Sequence, residues 1–404
     1  MTECSIPAKA RGLLLLGLTL AGCATTDLTP IGKTAVPFQP EPDERRLWAR
    51  SEEEQRKLDS SGLLYPNREL ETHLNDVLDR LVPPDVKNEN YRITVRVLRN
   101  PLLNAFTYPN AVIYVHTGIL ARMDNEAQLA TLLGHELTHA THRHGIVRFR
   151  DIQNKAAFLA TFQVMTGPFG LIGALAQVIG AVGTIASVYG YSQDQERDAD
   201  REGLSLMIQA GYDPREAPKL FIHLKEWVAD EKKPEPFFFG THPRLDERID
   251  NYNRLLADEF KDAVTRGGRV EESEFLTRTR TLILENSVLD LQAGRFLQAQ
   301  KGLTKFLALS PDDPRPYYYL AESYRRKNDP KERDLAIENY QKAIALDSAF
   351  ADPHRGLGSL YYQEGKRAEA QEAFQHYLSL APTAADRTFI EGVLKELARS
   401  EQRE

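Results

Sequence analysis

The residues in this chain best suited to chemistry are histidines and carboxylates at helical spacing. His135-Glu136-Leu137-Thr138-His139 places two imidazoles at i and i+4. On a helix those positions share a face, so both rings can reach one cation. Glu136 follows the first histidine and can polarise a water held by that cation. The apolar neighbours Ala130, Leu132, Leu133 and Leu137 argue for a helix buried in a core, against two surface histidines meeting by chance. The chain has two cysteines, Cys4 and Cys23, so any metal site is built from His, Asp and Glu. A catalytic zinc needs a third protein ligand and one open position. A histidine ten residues after His135 is ruled out, because that position is Gly145, and His142 and His144 fall at other spacings. The alternative is the acidic start of a second helix, Glu196-Arg197-Asp198-Ala199-Asp200. Glu196 and Asp200 again stand at i and i+4, so one can bind the metal while the other accepts a hydrogen bond from a ligand histidine. Glu196 suits the ligand role better than Glu202, which lies on another face. The expected ligands are therefore His135, His139 and Glu196, with Asp200 behind them and one Zn2+ per chain.

Several elements must position these groups. Tyr91, Ile93, Val95 and Val97 alternate with polar residues, as in a half-buried strand. A second strand is expected over 112–115, after a turn region at 104–110, and as an edge strand it could pair with an extended substrate. The metal-site helix is expected over 126–142, with Asp124 as N-cap. The helix beginning near Glu196 continues through Leu204 and Met207. Between the two helices, 156–191 is almost uncharged and long enough for a membrane helix. Gln177 and the high Gly and Ala content favour a helical hairpin packed over the active site.

Lys9 and Arg11 precede an apolar run at 12–20 that is too short to span a bilayer, the pattern of a secretory signal. Leu20-Ala21-Gly22-Cys23 resembles the bacterial lipobox, which implies cleavage before Cys23 and lipid attachment to it. Ala24 follows the cysteine, and by resemblance to lipoprotein sorting in double-membrane bacteria this favours the outer membrane and a periplasmic location. The Pro- and Thr-rich stretch that follows reads as a tether. The net charge of −7 makes nucleic acid a poor partner.

H-E-x-x-H followed by E-x-x-A-D resembles the HtpX and CAAX-prenyl-protease type of zinc metallopeptidase. Asn104-Ala105-Phe106, and Thr241-His242-Pro243 with Arg248, add to the likeness. The signal or lipid start and a C-terminal repeat array resemble the periplasmic BepA-like branch. Pro109-Asn110-Ala111 departs from the family pattern, which has glycines after the proline. The resemblance implies that His242 and Arg248 lie at the active site. His242 has two open roles: oxyanion donor, or a fourth metal ligand that keeps the enzyme latent. Arg248 could hold a substrate carbonyl or carboxylate.

In the last third, segments starting at Arg280, Pro314 and Ala351 repeat the same apolar and small positions, among them Ala299, Ala321, Ala336, Gly358 and Ala370. This resembles the tetratricopeptide repeat, an array that binds peptides or proteins on a concave face. The expected fold is mainly α. A zincin-type metallopeptidase domain with a small β-sheet precedes a tetratricopeptide-repeat α-solenoid. The expected division is a signal at 1–22, a tether at 23–45, the peptidase at 46–265 and the repeats at 266–404. The expected function is a zinc endopeptidase that degrades misfolded or stalled envelope proteins. Its repeats would dock a protein partner such as outer-membrane assembly machinery. The alternative is a non-catalytic periplasmic chaperone or scaffold.

Overall fold

The computed structural model describes residues 25–34, 36–89, 91–154, 191–228 and 245–401. The expected signal at 1–22, Cys23, the apolar stretch from 155 to 190 with its expected hairpin, and 229–244 with His242 lie outside them. Helices α1 (Pro42–Ser60), α2 (Arg68–Leu81) and the short α3 (Pro84–Lys87) precede a three-stranded sheet. Asn67 caps α2 by accepting from the Leu70 N–H, and Leu70, Leu74, Val77, Leu78 and Leu81 bury one stripe of it. The strands are β1 (Thr94–Leu98), β2 (Ala105–Thr107) and β3 (Val112–His116), in the order β1-β3-β2. β1 runs parallel to β3, and β2 pairs antiparallel with it, Phe106 opposite Tyr114.

Two expectations change here. The supposed turn region at 104–110 contains β2, a strand of three residues hidden between Asn and Pro. As a result β3 is central, not an edge, and the sheet edge beside the metal-site helix is β2. The turn joining β2 to β3 holds Ala111 at φ +63°, where the family pattern supplies a glycine.

After α4 (Thr117–Arg122) comes α5 (Glu126–Thr141), which carries both candidate histidine ligands. Its N-cap is Asn125, whose side chain accepts from the Gln128 N–H, and not Asp124. Asp124 instead meets Lys305 and His223. Every residue of α5 is buried, so the helix has no solvated face. It crosses α6 (Gln193–Gln209) at a glycine pair. A Cβ on Gly203 would lie 2.7 Å from the His135 nitrogen, and one on Gly134 would lie 2.8 Å from the Gly203 oxygen. Only hydrogen at both positions lets the two backbones meet. Helices α7 (Glu216–Val228), α8 (Leu245–Ala257) and α9 (Lys261–Arg266) complete this region.

The remaining helices pair off: α10 (Glu272–Gln292) with α11 (Phe296–Leu309), α12 (Pro314–Lys327) with α13 (Arg333–Leu346), and α14 (Ala351–Gln363) with α15 (Arg367–Leu380). Helix α16 (Arg387–Glu401) closes the stack through Ile390 and Leu397. The longer spacing before the third repeat is taken up by Asn328, at φ +55°, and a 3-10 turn at Pro330–Glu332. Helix α10 starts before the repeat's first expected residue, Arg280, and its Phe275, Leu282 and Ile283 join the core built by α2, the sheet and α5. One apolar core therefore runs across the expected boundary at 265/266.

The expected tether also differs from what is seen. From Thr25 onward it is docked: Ile31 is 2% exposed and its N–H donates to the Thr141 oxygen at 2.9 Å. Composition suggested a free chain, but Ile31 and Phe38 give it apolar anchors.

Candidate metal centre

His135 and His139 project from consecutive turns of α5, their Nε2 atoms 3.0 Å apart. The glycine crossing brings the first turn of α6 over them. Glu196 Oε2 lies 3.6 Å from His135 Nε2, and Oε1 lies 3.5 Å from His139 Nε2. All three residues are buried, and one ligand atom from each falls within 4.8 Å of the others. Donors about 2.0–2.2 Å from a tetrahedral zinc stand roughly 3.4 Å apart. The spacing and the two-imidazole, one-carboxylate donor set both fit that ion. Among the described residues this is the sole such group of three.

The outer ring fixes the ligands. Asp200, one turn after Glu196, places Oδ1 3.0 Å from His135 Nδ1. With the proton on Nδ1, the Nε2 lone pair faces the site. Asp200 Oδ1 also accepts from Tyr252 at 2.9 Å and from Arg248 Nη2 at 2.5 Å. Burial opposes the charged form of Asp200, but Arg248 and the His135 hydrogen bond outweigh it and hold its carboxyl below the usual range. Burial first, then the positive field of Arg248, pushes His135 down to about 4, which keeps it neutral and able to ligate at pH 7. On the second ligand, His139 Nδ1 meets His144 Nδ1 at 2.8 Å, and the Tyr191 ring stacks on the imidazole with centroids 3.7 Å apart.

Glu136 is fully buried between the two ligands in sequence, and its Oε2 accepts from Thr107 Oγ1 at 2.7 Å. Thr107 ends β2, so the sheet edge aims the carboxylate.

The structure thus brings His135, Glu136, His139, Glu196 and Asp200 together. Arg248 is adjacent. It is buried, ion-paired with Asp200, 2.8 Å from His135 Nδ1 through Nη2, and packed over the Phe221 ring at 4.1 Å, so it steadies the ligand shell. His242 and Cys23 lie outside the described residues. Sequence reasoning missed Thr107, His144, Tyr191 and Tyr252. Tyr252 had a signal, being one helical turn beyond Arg248. The others meet the site through tertiary contacts that spacing does not reveal.

Residues 66–255 match Peptidase family M48, and residues 332–365 match a TPR repeat. The chain is 29% identical over 202 residues to the beta-barrel assembly-enhancing protease of Escherichia coli, an overlap covering 47% of this chain and 39% of that protein. It is 32% identical over 163 residues to the mitochondrial metalloendopeptidase OMA1 of Arabidopsis thaliana, covering 40% of this chain and 30% of that one. The chain thus spans about two-fifths or less of the length of these curated relatives. Among solved structures, the first TPR of Spaghetti (RPAP3) bound to an HSP90 peptide overlaps 31% of this chain and 97% of its own, at 19% identity and a TM-score of 0.28.

Proposed function

We propose that this chain, a peptidase family M48 domain followed by TPR-like helical repeats, is a zinc-dependent endopeptidase of the bacterial cell envelope. The observation that carries the reading is the buried His135, His139 and Glu196 triad with Glu136 between its histidines. A zinc ion bound there would supply Lewis-acid polarisation of the scissile carbonyl and acidify a water. Every other part falls to the chain. Asp200, backed by Arg248 and Tyr252, holds the Nδ1 proton of His135 and so presents its Nε2. Glu136, oriented by Thr107, takes the proton of the attacking water and passes it to the leaving amine nitrogen. An extended client lies along β2, the edge strand next to Glu136.

Misfolded or stalled envelope proteins are the proposed substrates. The similarity to the beta-barrel assembly-enhancing protease supports this reading. The repeats dock a protein partner, with outer-membrane assembly machinery as the candidate. A lipid on Cys23 holds the chain to the membrane, with the outer membrane as the proposed site. His242 acts as a resting-state latch or as an oxyanion donor. A faster His242→Ala enzyme marks the latch, and one slower by about 10²–10³ marks the donor. Glu136→Gln tests the main reading: it keeps its metal and loses about 10²–10⁴ in client cleavage. Cleavage at the wild-type rate overturns the mechanism. If that variant still supports envelope assembly, the repeat array also works as the non-catalytic scaffold.

A further inference from the structure

The chain just after the proposed lipid site is fastened to the end of the metal-site helix and to residues 143–150 that follow it. Arg150 is 1% exposed and donates to the Thr25 oxygen at 3.0 Å, to Asp43 at 2.8 Å and to Glu41 at 2.8 Å. Arg143 holds Glu44 at 2.6 Å and reaches the Thr29 oxygen at 3.4 Å. Ile31 fills an apolar pocket among Val86, Tyr91, Ala111 and Ala140. Its N–H donates to the Thr141 oxygen, on the last residue of α5 and two residues beyond His139. Gly32 turns the chain at φ +82°, where a Cβ would sit 3.1 Å from the backbone of Asp85 and Val86. Phe38 packs on Trp48 and Tyr91, and its N–H donates to Glu89 at 2.6 Å. Such a run of buried donors and apolar anchors is not a linker of the freely jointed kind. Cys23 is two residues from Thr25, a reach of about 7 Å at full extension.

We propose that this strap clamps the lipid-bearing end of the chain to the C-terminal end of α5 and the residues that follow it, so that the bilayer surface is the partner of the exposed strap at Thr25, Asp27 and Lys33. The inference rests on the proposed lipidation of Cys23. It adds that the peptidase domain does not drift on a long tether: the strap is held close to the membrane surface, and the metal centre stays within a fixed reach of it. Clients presented at the membrane surface are then its substrate class, ahead of those free in the periplasm.

The reading places one lipidated cysteine and no other in the mature chain, so an introduced cysteine is a unique labelling site. Full-length lipidated protein carrying Lys33→Cys or Phe389→Cys is labelled with a donor fluorophore and reconstituted in phosphatidylethanolamine–phosphatidylglycerol vesicles. Transfer to headgroup acceptors is then measured. Lys33 is exposed on the strap, and Phe389 is exposed on the last helix. Each is compared with a version holding ten Gly/Ser residues inserted between Ala24 and Thr25, a flexible spacer of about 17 Å root-mean-square length. The insertion lies outside the docked strap and leaves its contacts in place. Transfer from position 33 is expected to exceed that from 389 and to fall about twofold on insertion. Arg150→Met, which frees Thr25 without lengthening the chain, is expected to fall part of the way. Transfer at 33 unchanged by the insertion, or equal at 33 and 389 in the uninserted protein, overturns the clamp. Mass spectrometry of the same samples separates the two claims. A lipid on Cys23 with no response to insertion leaves the anchor standing and removes the clamp. A bare Cys23 removes both.

Discussion

Both the metal-site helix pair and the repeat pairs depend on a missing side chain at a helix crossing, but they use the gap for different ends. At α5 and α6, Gly134 and Gly203 bring backbone against backbone. What that contact delivers is polar: Glu196 over two imidazoles and Asp200 behind one of them. In the repeats, Gly358 leaves room for the Phe374 ring and Gly356 for Tyr340. What those contacts deliver is apolar packing. A ring can shift by tenths of an ångström and still exclude water. A ligand set that shifts as far loses its ion. The expectation is therefore that changes at the metal region show in zinc binding and cleavage, and that changes at these repeat crossings show in stability.

Gly203→Ala probes the contrast most severely. The added methyl meets the backbone of Gly134 and His135, which cannot rotate away. The expected result is about 1–3 kcal/mol of lost stability, with zinc affinity and cleavage falling together. An active, zinc-replete variant would show that the crossing does not set the site. Asp200→Asn comes next, because it keeps the shape and removes the charge facing His135. Its expected cost is about 10–100-fold in zinc affinity, read by chelator competition, together with a lowered melting midpoint, because Arg248 stays buried without its counter-charge. Gly358→Ala is the counterpart on the repeat side. It presses on the Phe374 ring and should cost about 1–3 kcal/mol in thermal or urea unfolding, while zinc content and turnover of the folded fraction stay at wild-type values. Loss of zinc there would break the comparison.

The smallest effect concerns the seam between the two regions. Asp124 faces His223 at 2.9 Å and Lys305 at 2.9 Å. The hydrogen bond to Asp124 holds the His223 imidazolium above its ordinary value, more than offsetting burial. Stability from this pair is therefore fully present below about pH 6.5, the unfolded histidine value, and is lost as pH rises through the higher folded value. Both groups are about one-third exposed, so the increment is under about 1 kcal/mol. Unfolding midpoints of wild type and His223→Gln at acidic and alkaline pH should converge as pH rises. A constant gap would deny the charge pairing.

What the sequence revealed follows from the range of each interaction. His135, Glu136 and His139 were legible because five consecutive residues hold the whole chemical pattern. Glu196 and Asp200 were legible because helical spacing tied one to the other. The repeats were legible because small and apolar positions recur through three segments. Strand β2 was not, since the three residues Ala105–Thr107 give no period to read. Asn125 and Asp124 are both good caps, and the choice was settled by Lys305 and His223 claiming Asp124. Arg248 was placed near the site by likeness, but its direction came from Asp200, 48 residues away. The docked strap went unseen because Pro and Thr dominate its composition, while Ile31 finds its pocket among Val86, Tyr91, Ala111 and Ala140, all far along the chain.

The central claim is that α6 supplies the third ligand. Metal content by elemental analysis, on wild type and Glu196→Gln purified in parallel and matched in circular dichroism, tests it most directly. The account predicts about one zinc per wild-type chain and far less in the variant after mild chelation. Full zinc in folded Glu196→Gln would contradict it and move the third ligand elsewhere.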